Sequence, residues 1–224
     1  MILSCVIFFT DSLDFAIIPS FLKKLEVKMI CLFTQKGRLN RKIAMDYYNM
    51  VIRQSRMEEF YEDYKAPDTM EGRFEIVTLH AGLLVNRLCR PDMGVDGKKL
   101  AQALFDVMFR SIDLSIREAG VGDLAVPRRI KKMMTNFKGR TFAYDEAVRS
   151  GNGDLVHALS RNIYAEVPIP NQDTMNKLAK YTQDYFDALG NMQPSDFWNS
   201  KMIMFPKIEK TLEQIGQNNA SQAA

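Results

Sequence analysis

The chain has 224 residues, 46% of them hydrophobic and 25% charged, with a net charge of +3. That length suits one real core with ragged ends, and the charge content is ordinary for a soluble globular protein. Three scattered cysteines (Cys5, Cys31, Cys89) and two histidines argue against a disulfide scaffold and a structural zinc site, and fit a reducing compartment.

The first 22 residues, MILSCVIFFTDSLDFAIIPSFL, are apolar but interrupted by Asp11, Asp14 and Pro19. No clean run approaches the roughly 20 residues of a spanning helix. No positive region precedes the run, so a secretory signal fits poorly, and the acids Asp11, Asp14 and Glu26 disfavour a mitochondrial transit peptide. Met29 opens a short apolar lead into a basic stretch, MICLFTQKGRLNRK. The expectation is a natural start at Met29, with residues 1–28 contributed by an upstream start codon; the competing reading is a peripheral membrane-touching segment. Residues 1–39 are thus read as an N-terminal extension, 40–190 as a helical domain, 191–215 as a C-terminal helical extension and 216–224 as a disordered polar tail.

Helical spacing begins with Ile43, Tyr47, Met50 and Val51, then Met57, Phe60, Tyr61 and Tyr64. Glu58, Glu59, Glu62 and Asp63 share the other side of that second stretch and read as a solvated face. In APDTMEGRFEIVTLH, Asp68 or Thr69 can cap a new helix, because a side-chain oxygen there accepts an orphan backbone N–H. From Ile76 to Leu88 this helix is apolar on nearly every side, the pattern of a central, buried element. Pro91, Gly94 and Gly97 break the chain. Leu100, Leu104, Val107, Met108 and Ile112 then mark one face of a long helix, and Phe105, Phe109 and Ile116 a second.

Gly120 should end that helix, since glycine accepts the left-handed conformation past a helix C-terminus. Pro127 fits the first turn of the next, where its missing N–H costs nothing. Ile130, Met133, Met134 and Phe137 make its buried stripe. Further helices are predicted over about 140–149, 153–164 and 171–190, and Ile208, Leu212 and Ile215 suit a final short one. No alternating strands are evident. The fold class is all-α: a single compact domain of about seven to nine helices with irregular terminal extensions.

One segment carries the basicity. Residues 126–140 hold Arg128, Arg129, Lys131, Lys132, Lys138 and Arg140 and no acid, so the rest of the chain is net negative. Cations in a first turn oppose the helix dipole at about 0.3–1 kcal/mol each when exposed. Either a partner brings negative charge, such as phosphate of RNA or lipid or an acidic protein, or acids of this chain such as Glu118 or Asp123 neutralise the cluster. Aromatic residues do not interleave with the basic ones, so base stacking is not suggested.

Fourteen methionines are many for this length. Most sit at core spacing. Met192, Met202 and Met204 are better candidates for exposure, where flexible thioethers adapt to apolar clients. His80, among Val77, Leu83 and Leu84, reads as a satisfied core histidine before a catalytic one. Arg73 and Arg87, about two turns to either side, could reach solvent or pair with an acid such as Asp106. Asp68, Gly72 and Arg73 read as turn and capping chemistry, and Gly120 and Gly122 as backbone punctuation rather than a phosphate cradle. No nucleophile–base constellation can be assembled, so nothing here asks for catalysis.

Three blocks, APDTMEGRFEIVTLHAGLLVNRL, LAQALFDVMFRSIDLSIREAGVGDLAVPRRIKKM and ALSRNIY, resemble the ubiquinol–cytochrome c chaperone family over roughly residues 40–165. The positions that carry the likeness are Asp68, Gly72, Arg73, His80, Arg87, Gly120, Gly122, Asp123, Asn162 and Tyr164. The family pattern has an aromatic residue before Gly-Arg, where this sequence has Lys138 before Gly139 and Arg140. The resemblance implies an all-α assembly chaperone for respiratory complex III that binds newly made cytochrome b, with no cofactor, metal or catalysis of its own. It further implies a small helical co-chaperone and contact of the basic helix with a ribosome or an anionic membrane surface. The implied place is the cytoplasmic side of a bacterial inner membrane, or the mitochondrial matrix side in a eukaryote. Two alternatives come from the residues themselves: an RNA- or ribosome-binding module using residues 128–132, and a helical enzyme built around His80 or the acidic cluster.

Overall fold

The computed structural model describes residues 35–199 and 203–208. Among these, eight α-helices and one 3-10 turn follow in order: α1 Gln35–Ser55, α2 Glu59–Glu62, α3 Met70–Leu88, the turn Pro91–Met93, α4 Gly94–Glu118, α5 Val126–Ser150, α6 Asn152–Ile163, α7 Gln172–Asn191 and α8 Pro194–Trp198. No strand occurs among the described residues. The apolar N-terminal stretch, Met29, Met202, Leu212, Ile215 and the polar tail lie outside them.

Helix α3 is the axis. From Ile76 to Leu88 its sequence leaves no face for water, and α1, α4, α5, α6 and α7 all pack on the helix. Ile76, Leu79, Leu83, Leu84 and Leu88 are fully buried. Helix α1 meets α3 and α4 through Ile43, Ala44, Tyr47 and Val51, the stripe its spacing predicts. Phe105 and Phe109 of α4 close on Phe137 of α5, with edge contacts at 5.7 and 5.9 Å between ring centroids.

The ends of the helices follow local chemistry. Thr69, not Asp68, caps α3: its hydroxyl accepts the Gly72 N–H at 3.1 Å. Helix α4 stops before Gly120, whose φ of +80° is the left-handed conformation expected there. Pro127 lies in the first turn of α5. Asn171 caps α7 by accepting the Thr174 N–H at 2.9 Å.

Two expectations are corrected. The basic helix and the predicted helix over 140–149 are one continuous element, α5. Gly139 does not break it, because an interior glycine costs only about 1 kcal/mol against alanine, and Phe137, Thr141 and Tyr144 on either side are anchored in the interior. The stretch around Phe60 is a single helical turn, and Asp63 is buried rather than on a solvated face. Ile208, the last described residue, is not helical, and the rest of the expected Ile208–Ile215 helix lies outside the described residues. Before it, Phe197, Ile203 and Phe205 pack on the core: Phe205 stacks on Tyr185 at 5.1 Å, and Tyr47 donates to the Phe197 carbonyl at 3.2 Å.

Candidate functional site

The six cations of α5 do not act as one group. Arg129 turns inward to Glu71 at the start of α3, Nη2 to Oε1 at 2.6 Å. Arg140 donates to Glu75, one turn further along α3, whose side chain is only 10% exposed. Burial raises the Glu75 carboxyl pKa even though Arg140 works against that shift. Lys138 is exposed, and partial desolvation of its ammonium lowers its pKa. Arg128, Lys131 and Lys132 face solvent, and no carboxylate among the described residues lies within ion-pair distance of them. The cluster is therefore partly neutralised from within. The acids responsible are Glu71 and Glu75, not Glu118 or Asp123; Asp123 is bridged by Arg117 at 2.8 Å.

The free cations surround an open surface depression with Leu124, Ala125, Thr135 and Asn136. Leu124 is 98% exposed. It sits where the Gly120–Gly122 turn delivers the chain into α5.

The other predicted positions build the frame. His80 is fully buried: Nδ1 donates to the Ile76 carbonyl at 2.8 Å, and Nε2 accepts from the Tyr181 hydroxyl at 2.8 Å. Gln54 donates in turn to that hydroxyl at 3.0 Å. Burial depresses the His80 pKa to about 4, so the ring is neutral, and Phe60, Tyr181, Tyr185 and Phe205 enclose it. This is the satisfied core histidine, with no path for a substrate.

Arg87 neither reaches solvent nor meets Asp106, which instead accepts from Gln102. It is buried and donates to the Leu189 and Met192 carbonyls at 3.0 and 2.9 Å, with Asp92 at 2.9 Å. Those carbonyls lie at the C-terminal end of α7, so Arg87 fastens α7 to α3. Asp68 pairs with Arg73, which also lies 5.7 Å from the centre of the Tyr61 ring. Gly72 has no room for a side chain: a Cβ there would stand 2.0 Å from the Pro67 carbonyl oxygen. Tyr164 donates to the Tyr64 carbonyl, and the buried Asn162 side-chain nitrogen has no hydrogen-bond partner among the described residues. Gly122 is exposed and makes no close approach.

A sequence profile described as ubiquinol-cytochrome C chaperone matches residues 62–205. The chain belongs to this family. Yeast mitochondrial protein CBP3 (Saccharomyces cerevisiae) is 29% identical over 157 residues, 67% of this chain and 46% of its own length. The mouse ubiquinol-cytochrome c reductase complex assembly factor 1 is 24% identical over 174 residues, 77% of this chain and 58% of its own. The chain thus spans about half the length of these relatives. The crystal structure of the Cbp3 homolog from Brucella abortus aligns with a TM-score of 0.66 and 30% identity, covering 80% of this chain and 97% of that one.

The family match reaches well past ALSRNIY, as the packing of Phe197 and Phe205 requires. Within this member, most of the motif positions are buried or paired inside the fold, whereas the free cations are outside it. Met204 is 79% exposed, as expected of a C-terminal methionine, but Met192 is packed against the core. Sequence reasoning missed Glu71, Glu75 and Leu124. The first two were detectable as the only acids on α3, and Leu124 as a large apolar residue in a glycine-rich turn. No helix among the described residues is long and apolar enough to cross a membrane, and no group of three or more His, Cys, Asp or Glu there could hold a metal.

Proposed function

We propose that this chain is an assembly chaperone that binds newly made cytochrome b and promotes biogenesis of the ubiquinol–cytochrome c reductase, by binding alone and without a reaction of its own. The observation that carries this is the family match over residues 62–205, joined to relatives named as assembly factors of that complex. The geometry agrees in kind. His80 and Arg87 are consumed in holding helices together, and Asp68 and Arg73 pair locally at the start of α3, which leaves surfaces rather than a reactive centre to do the work. A small helical co-chaperone and a position at the inner-membrane surface, on its cytoplasmic or matrix side, belong to the same reading.

The test is a reduced-minus-oxidised haem spectrum of host membranes, with and without the protein. Selective loss of the b-type and bound c-type signals of the complex, with other cytochromes intact, is expected. An unchanged spectrum removes cytochrome b as an essential client.

A further inference from the structure

A threonine inside a helix ordinarily turns its hydroxyl back to the carbonyl one turn earlier. Thr135 and Thr182 do so, at 3.0 and 2.8 Å. Thr78 of α3 and Thr141 of α5 do not. Both are buried, and neither hydroxyl has a hydrogen-bond partner among the described residues. Thr141 points its hydroxyl at α3: a Cβ built on Gly82 would stand 2.8 Å from its Oγ1. Thr78 lies about one turn before Gly82 and one turn after Glu75, on the same side of α3. Glu75 in turn meets Arg140, the chain neighbour of Thr141.

The same seam holds two more orphaned groups. Tyr144, one turn beyond Thr141, is fully buried. Neither its hydroxyl nor the side-chain nitrogen of Asn162 in α6 has a partner among the described residues. Burial raises the Tyr144 pKa and the Glu75 carboxylate adds to the rise, while Arg140 and Asn162 act against it. All three side chains are therefore close to the Tyr144 hydroxyl, and Asn162 faces it without closing a hydrogen bond. Leaving four buried polar groups unmade in one helix seam would cost a domain of this size much of its stability.

The choice of ligand is narrow. The Glu75 and Arg140 charges offset each other, so the seam asks for a neutral molecule rather than an ion. Its lining of hydroxyls and an amide gives an apolar molecule nothing to gain. The Asn162 nitrogen only donates, and the hydroxyls donate and accept; water does both and fits between packed helices. We propose that the α3–α5–α6 seam is a binding site for ordered internal water: one molecule bridges Tyr144 Oη and Asn162 Nδ2, and the Thr141 and Thr78 hydroxyls complete the water network. The network gives Asn162, one of the positions that carry the family likeness, the task of tying α6 to the α3–α5 pair. The inference does not rest on the assembly reading.

The test compares the full chain with Tyr144→Phe, which keeps the shape and removes one hydroxyl. Oxygen-17 relaxation dispersion of the solvent counts long-lived internal waters, and the variant should hold at least one fewer than the parent. In urea titrations the variant should shift the unfolding equilibrium about fivefold towards the unfolded state, because the bridging water loses a partner. A hydroxyl that is simply orphaned gives the opposite sign, since its deletion then stabilises the fold. An equal water count, or a variant at least as stable as the parent, overturns the proposal. Thr141→Val supplies the same two readings should Tyr144→Phe fail to fold. A crystal structure of the parent decides without any variant. Density for a water within hydrogen-bond distance of both Tyr144 and Asn162 is expected; a direct Tyr144–Asn162 bond, or an ion in the water's place, overturns the site. None of these results touches the haem spectrum, so the two readings fail separately.

Discussion

Arg140 was expected on a partner-binding surface, and the structure makes it the counter-charge of a buried carboxylate. Arg140→Met separates the two. The substitution keeps most of the aliphatic volume but leaves Glu75, 7% exposed, without its cation. Removing one member of a buried pair costs about 3–5 kcal/mol, because the other charge stays desolvated. In a domain of this size that corresponds to a fall in Tm of about 10 °C.

The pH dependence fixes the mechanism. The folded pKa of Glu75 already lies above its ordinary value, because burial disfavours the charge. A group raised in this way contributes stability below its unfolded pKa and loses it as pH rises through the folded one. Arg140 restrains that rise, so removing it pushes the folded pKa higher. The deficit of Arg140→Met should therefore be largest at about pH 8 and should shrink as the pH is lowered towards about 5, because acidification favours the protonated carboxyl. Glu75→Gln combined with Arg140→Met should recover most of the loss at the higher pH. Thermal melts by circular dichroism at both pH values decide it. Equal melting of parent and Arg140→Met, or a deficit that grows on acidification, refutes the pairing and returns Arg140 to the surface.

His80 titrates in the opposite sense. Its folded pKa of about 4 lies below the unfolded 6.5, so its contribution is complete above pH 6.5 and is lost as pH falls towards 4. Stability should decline by about 1.4 kcal/mol per pH unit through that window, and His80→Gln should remove this part of the slope in denaturant titrations. Gly72→Ala should cost at least about 2 kcal/mol, since its methyl would overlap the Pro67 carbonyl. Gly139→Ala, with nothing within 4 Å of the new atom, should instead stabilise by about 0.5–1 kcal/mol by favouring the continuous α5. Denaturation midpoints of the two alanine variants read both.

Periodicity carried the helical faces and the stops, because these are local. Gly120 and Pro127 punctuate by their own backbone chemistry, and the buried face of α3 follows from its composition. What the sequence could not show is which neighbour each face meets. Arg87 is separated from Leu189 by 102 positions, and Arg140 from Glu75 by 65, so their partners depend on how helices cross. Without that crossing, Arg87 looks like a snorkelling cation and Arg140 like part of a surface cluster. The false break at Gly139 has a related cause: a glycine weakens a helix locally, but buried side chains on both sides outweigh it.

The basic N-terminus of α5 can now be divided by what each charge costs. Arg129 is compensated by Glu71, and Arg140, deep inside a 25-residue helix, never opposed the dipole. Arg128 remains in the first turn, at about 0.3–1 kcal/mol against the dipole, and Lys131 and Lys132 follow in the second turn, adding like charge without acid partners among the described residues. A chain selected for stability alone would have acids there. Removing these three charges should therefore leave the free protein as stable as before, or more so, whereas removing Arg129 or Arg140 strips an acid of α3 of its counter-charge. Melting curves of the two sets of variants set Arg128, Lys131 and Lys132 apart from Arg129 and Arg140 on the same helix.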